Sequence, residues 1–173
     1  MSDKKRTAVI LIGHGSRVPG AGKDMEKVAM FLASSGEYSI VEACYMSRVS
    51  PFFPEALKKV VTHNVGEIVV LPYFLHSGLH LVLDIPTMIK KEAEKYPDVK
   101  IVYGPHLGYD KSMVELVKQR IEDAKNFKDV RELKLCAREE YPLAKGEMEF
   151  VPMEPVDAQK YMEKHGGDHH HHH

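Results

Sequence analysis

A chain of 173 residues, 43% of them hydrophobic, has room for one domain with a sizeable core and a small appendage. Its 24 Lys+Arg nearly balance 25 Asp+Glu, so no global field recruits nucleic acid or an acidic membrane. No apolar run nears the roughly 20 residues a bilayer span needs, and residues 1–6 lead into a strand-like run rather than a signal sequence, so a cytoplasmic protein with no nucleic-acid or membrane partner is expected.

Strand and helix patterns then alternate. Thr7-Ala-Val-Ile-Leu-Ile12 is continuously apolar or β-branched, as in a strand covered on both faces. Met25, Val28, Ala29 and Leu32 recur at helical spacing, and Gly36 closes that helix. Tyr38–Met46 reads as the second strand. Ser50-Pro51 opens a second helix, with Ser50 as cap, Leu57, Val60 and Val61 on its inner face, and Gly66 at its end. Glu67–Leu71 is the third strand, followed by a loop through His80. Asp84 and Pro86 signal a third helix with Ile85, Met88, Ile89 and Ala93 facing inward. Pro97-Asp98 breaks it, and Val99–Tyr103 is the fourth strand. Asp110 starts a fourth helix carrying Met113, Val114, Val117, Ile121 and Ala124 as its apolar stripe.

This repetition predicts an α/β fold: a flavodoxin-like three-layer sandwich whose four-stranded, mostly parallel sheet runs in the order 2-1-3-4. Residues 1–128 make up this domain. Residues 129–168 form an irregular C-terminal extension with prolines at 142, 152 and 155 and a helix-like piece near Val156–Lys164. Residues 169–173 are a run of five histidines, either an expression tag or a native metal-collecting tail. Cys44 reads as a buried thiol, and a disulfide to Cys136 is not expected in a reducing compartment.

Two segments stand out, Ile12-Gly-His-Gly-Ser-Arg17 and Leu71-Pro-Tyr-Phe-Leu-His-Ser-Gly-Leu-His80. Each is a strand-like run that stops at Gly or Pro and then presents histidine. Strands one and three are neighbours in the predicted order, and ligands bind where loops leave the carboxyl ends of parallel strands. His14 and His80 therefore share a crevice in this reading. Imidazole is a good ligand for late first-row metals and a base near neutral pH. Ser16 and Arg17 add a hydroxyl and a guanidinium suited to a carboxylate. His76 reads as a lining or surface residue, His106 as a turn histidine and His63 as the exposed end of a helix. Gly-x-Gly-x-x-Gly fails at Arg17-Val18, no phosphate-loop Gly-Lys-Ser/Thr is present, and Val18 spoils a Gly-x-Ser-x-Gly elbow.

Leu-Ile-Gly-His-Gly-Ser-Arg, followed by Pro-Tyr-Phe-Leu-x-Ser-Gly-Leu-His and Asp84-Ile-Pro86, resembles the sirohydrochlorin chelatases over residues 6–127. It is most similar to the short, single-domain cobaltochelatases of the anaerobic cobalamin pathway. The resemblance implies insertion of Co²⁺ into sirohydrochlorin without ATP or an organic cofactor; relatives insert Fe²⁺ or Ni²⁺. It implies a homodimer with the tetrapyrrole near the cleft between subunits, and it assigns metal handling and catalysis to His14 and His80. Ser16, Arg17, Arg48 and the amides around Ser77 and Gly78 would hold the substrate carboxylates. Many relatives carry a glutamate where this chain has Ser47, and Glu42 is the candidate to replace it as a third metal ligand. A non-catalytic metal or tetrapyrrole carrier, and a generic binding domain for a phosphate-bearing ligand, are the alternative readings.

Overall fold

The computed structural model describes residues 6–165, so the His169–His173 run lies outside the described residues. Four apolar runs become the strands β1 (Thr7–Gly13), β2 (Ile40–Tyr45), β3 (Glu67–Pro72) and β4 (Lys100–Tyr103). All pair in parallel in the predicted order, β2-β1-β3-β4. The side-chain period of two divides β1 between two cores. Ala8, Ile10 and Ile12 pack with Phe53, Leu57 and Val60 of α2 (Phe53–Val61) and with Ile85 and Ile89 of α3 (Ile85–Ala93). Val9 and Leu11 pack on the other face with Met25 and Ala29 of α1 (Lys23–Ser34). Three layers result.

Several boundaries differ from the sequence reading, each for a local reason. Ser50 does not cap α2. The Glu55 carboxylate accepts from the Phe52 amide at 2.6 Å and from the Ser50 hydroxyl at 3.0 Å. A charged acceptor in the first turn outcompetes a neutral one for that amide. Nor does α2 run to Gly66: it ends at Val61, and Asn64 takes up the left-handed conformation (φ 50°) that asparagine tolerates. The segment after β3 is helical sooner than expected, because a π-type turn, His80–Asp84, runs without a break into α3.

Helix α4 (Lys111–Ala124) starts where predicted, the Asp110 carboxylate accepting from the Ser112 amide at 2.8 Å. Its packing is the surprise. No residue of α4 is buried, and Val117 and Ile121 of the apolar stripe are 51% and 57% exposed. Meanwhile Val69, Leu71 and Val102, on the α1 side of β3 and β4, are only half-buried. Among the described residues of the unit that contains them, which runs to Lys134, nothing buries this helix stripe or this sheet face. Periodicity announces that a helix has an apolar face but says nothing of what lies against it.

The first compact unit closes at Lys134 and the second begins at Leu135. Among its described residues the second unit holds a short 3₁₀ turn, Arg138–Glu140, and helix α5 (Pro155–His165). None of them is buried.

The two thiols differ sharply. Cys136 is exposed, whereas burial, assisted by the Glu42 carboxylate, pushes the Cys44 thiol up to about 12. The folded value lies above the ordinary thiol value, so the protonated thiol favours the fold at neutral pH and that contribution fades as pH rises toward about 12. A thiol reagent near about pH 8 should modify only Cys136 in the native protein, with Cys44 reacting once denaturant is added. Mass spectrometry checks this; two labels on the folded chain would contradict it.

Candidate active site

The site is built where β1 and β3 release their chains. After Gly13 the backbone turns through Gly15, whose φ is +91°. A β-carbon there would sit 1.8 Å from the Ser47 carbonyl oxygen, so only glycine fits this close approach. The Met46 amide donates to the Gly13 carbonyl at 2.9 Å, and the Ser47 hydroxyl to the His14 carbonyl at 3.3 Å. The loop bearing His14 is thus tied to the end of β2.

His80 is held differently. The amides of Leu81 and Val82 donate to the Gly78 carbonyl at 2.9 and 3.2 Å and lead the chain into the π-type turn, which the Ile85 amide closes by donating to the His80 carbonyl. Leu81 is buried, and its carbonyl accepts from the Tyr103 hydroxyl at 3.0 Å. With Leu81 anchored in the core, its neighbour His80 is turned outward.

The two imidazoles meet. Their ring centroids lie 5.2 Å apart at an interplanar angle of 60°, and both residues are exposed. His80 Nδ1 lies 2.7 Å from Asp84 Oδ2, one turn on. His14 Nδ1 lies 3.1 Å from Arg48 Nη1 and 3.0 Å from the Gly15 carbonyl. Beside His14 opens a cleft of about 490 Å³ whose polar lining comes from Ser16, Arg17, Lys23, Glu26, Tyr45 and Arg48. Three cations against one carboxylate favour an anionic guest, the more so because Glu26 already accepts from the Tyr45 hydroxyl at 2.7 Å.

The other sequence candidates fall in different places. Ser77 is exposed on the loop before His80, and Gly78 contributes its carbonyl to the turn. His76 is exposed on the same loop. His106 stays in its own turn, its ring against Gly108, and His63 lies just beyond the end of α2 with Nδ1 3.1 Å from the Lys59 carbonyl. Glu42 corrects the expectation of a substitute ligand. Strand alternation sets it on the same face as Cys44, toward α2, where it pairs with Lys59 at 2.6 Å. No group of three His, Cys, Asp or Glu suited to a metal ion occurs among the described residues. Asp84 is a partner that the sequence does not announce: it reads there as a helix-start signal, yet its spacing from His80 pairs the two once that segment is helical.

The sequence profile of the CbiX family matches residues 8–124. The chain belongs to the CbiX family. Among curated relatives of this CbiX chain, the sirohydrochlorin cobaltochelatase of Methanopyrus kandleri is 36% identical over 137 residues, covering 68% of this chain and 96% of that protein. The sirohydrochlorin ferrochelatase of Bacillus subtilis is 31% identical over 121 residues, covering 68% of this chain and 45% of that protein. Among solved structures, the sirohydrochlorin chelatase SirB from Bacillus subtilis subspecies spizizenii in complex with cobalt superposes with a TM-score of 0.64 at 27% identity, covering 68% of this chain and 50% of that one. This CbiX chain therefore spans nearly all of the archaeal relative and about half of each Bacillus protein.

Proposed function

We propose that the protein inserts Co²⁺ into sirohydrochlorin in cobalamin biosynthesis. One observation carries the reading: two exposed imidazoles delivered by adjacent strands stand 5.2 Å apart beside a cationic cleft, in a chain that nearly spans a cobaltochelatase relative.

Metallation exchanges two pyrrole N–H protons for one divalent ion. A pair of neutral imidazoles can present the ion and accept protons, since nitrogen ligands must be deprotonated to bind metal. Two protein ligands hold an ion less firmly than the closed four-ligand shell of a structural site, which suits delivery. In this reading His14 and His80 handle metal and protons. Ser16, Arg17 and Arg48 in the cleft, with Ser77 and Gly78 on the loop before His80, receive the substrate carboxylates.

Two copies act together in this reading. The uncovered stripe of α4 and the half-buried sheet face of β3 and β4 are matching apolar surfaces, and exchange of α4 between two chains would cover both. The reaction is assigned to the cytoplasm, whose reducing conditions suit two free cysteines.

The test is a competition of Co²⁺, Ni²⁺ and Fe²⁺ for sirohydrochlorin, followed by visible spectrum at substoichiometric protein. Many turnovers, with Co²⁺ preferred, are expected. Binding that stops at one equivalent of protein would instead indicate a carrier, and faster Fe²⁺ insertion would reassign the metal.

A further inference from the structure

We infer that Asp84 and Arg48 are positioning residues that set the two imidazoles in opposite states, His80 open to metal and His14 closed until an anionic substrate draws Arg48 away. This rests on the reading of His14 and His80 as the metal-handling pair.

A carboxylate at neutral pH only accepts hydrogen bonds. At 2.7 Å from Asp84 Oδ2, His80 Nδ1 therefore carries the hydrogen, and in the neutral ring the lone pair lies on Nε2. Both partners belong to one helical turn, so the ring is oriented as well as tautomerised. This is the carboxylate–histidine arrangement that readies an imidazole for a metal.

His14 is in the contrary position. Its Nδ1 has two neighbours at almost equal distance, the Arg48 Nη1 at 3.1 Å and the Gly15 carbonyl at 3.0 Å. The guanidinium can only donate and the carbonyl can only accept, so one nitrogen satisfies one of them at a time. Bonded to Arg48, Nδ1 uses its lone pair and Nε2 bears the hydrogen; the ring has no lone pair to offer. Bonded to Gly15, Nδ1 bears the hydrogen and Nε2 opens, matching His80. Moving Arg48 is the switch.

What moves it is also in view. Arg48 lines the cleft together with Arg17 and Lys23, where a carboxylate-bearing ligand would be drawn. A bidentate carboxylate is a stronger partner for guanidinium than a neutral ring nitrogen. Binding of the polycarboxylate macrocycle then releases His14 when its lone pair is needed, to take a metal ion or a pyrrole proton. Without the macrocycle the protein offers Co²⁺ a single open imidazole and holds it weakly.

The experiment titrates the full chain with Co²⁺ alone by calorimetry and reads imidazole tautomers from ¹⁵N chemical shifts. Asp84→Asn should weaken Co²⁺ binding by about tenfold or more, the usual effect of losing such a partner. Arg48→Met keeps the bulk and removes the donors; it should tighten Co²⁺ binding by a similar factor. In the same variant His14 should change from the Nε2–H to the Nδ1–H tautomer, and metal-free sirohydrochlorin should produce the same change in the unaltered protein. A purely structural role for Arg48 predicts neither gain of affinity nor a tautomer change. If Co²⁺ binding depends on His80 but Arg48→Met leaves affinity and the His14 tautomer unchanged, the switch is overturned and the chelatase reading stands. If His80→Ala does not alter Co²⁺ binding, the metal-handling pair itself is refuted.

Discussion

Replacing His14 or His80 by alanine is expected to slow Co²⁺ insertion by about 100-fold or more, the scale of a positioned acid–base group. The two rings stand 5.2 Å apart and act on one macrocycle. Removing either leaves a lone imidazole to present the ion and collect protons, so the double variant should be little slower than the worse single one. Stability is not the cause, because both residues are exposed and such substitutions usually move stability by only about 0.5 kcal/mol. Initial rates from the visible spectrum of the metallated product, beside thermal melts of each variant, decide the matter. Near-normal insertion in both single variants would remove the proposed chemistry.

Charging the exposed stripe of α4 should have the second large effect. With Val117→Glu and Ile121→Glu combined, the protein should become monomeric in light scattering and lose helix signal. Fully burying one such side chain is worth about 1.5–3 kcal/mol, so in the proposed helix-exchanged dimer two charged replacements on each helix would remove a large share of the stability of association. The loss of helix follows from length: at 14 residues α4 is marginal in water without a surface to lie on. Insertion should fall too if the tetrapyrrole lies between subunits. Persistence of the dimer in the double variant, or a monomeric unaltered protein, would refute helix exchange.

Much of the frame was legible because single residue types decide it. A run without polar residues, such as Ala8–Ile12, fits a strand covered on both faces, and Asp110 before an amphipathic stretch starts a helix. From four such repeats follow the parallel order and the neighbouring ends of β1 and β3, and hence the meeting of His14 with His80. What stayed hidden depends on pairings across the fold. Glu42 has a suitable chemistry for a metal, and only its partner Lys59 on α2 shows it engaged elsewhere. Asp84 looked like punctuation because the turn that joins it to His80 has no sequence signature of its own. Gly78 suggested a loop, yet it supplies a carbonyl that starts a helical turn. The second unit gave little to read, since residues without a core obey no periodicity.

The π-type geometry of His80–Asp84 has a consequence for how such a site is altered. Each residue of a regular α-helix advances the azimuth by about 100°, and a π turn accommodates one residue beyond the α repeat. Shortening this stretch by a single position would relax it to ordinary helix and swing the imidazole off its bearing while α3 kept its seat on the sheet. Spacing here works as an aiming device: the count of residues between β3 and Pro86 encodes a direction, just as their identities encode a chemistry.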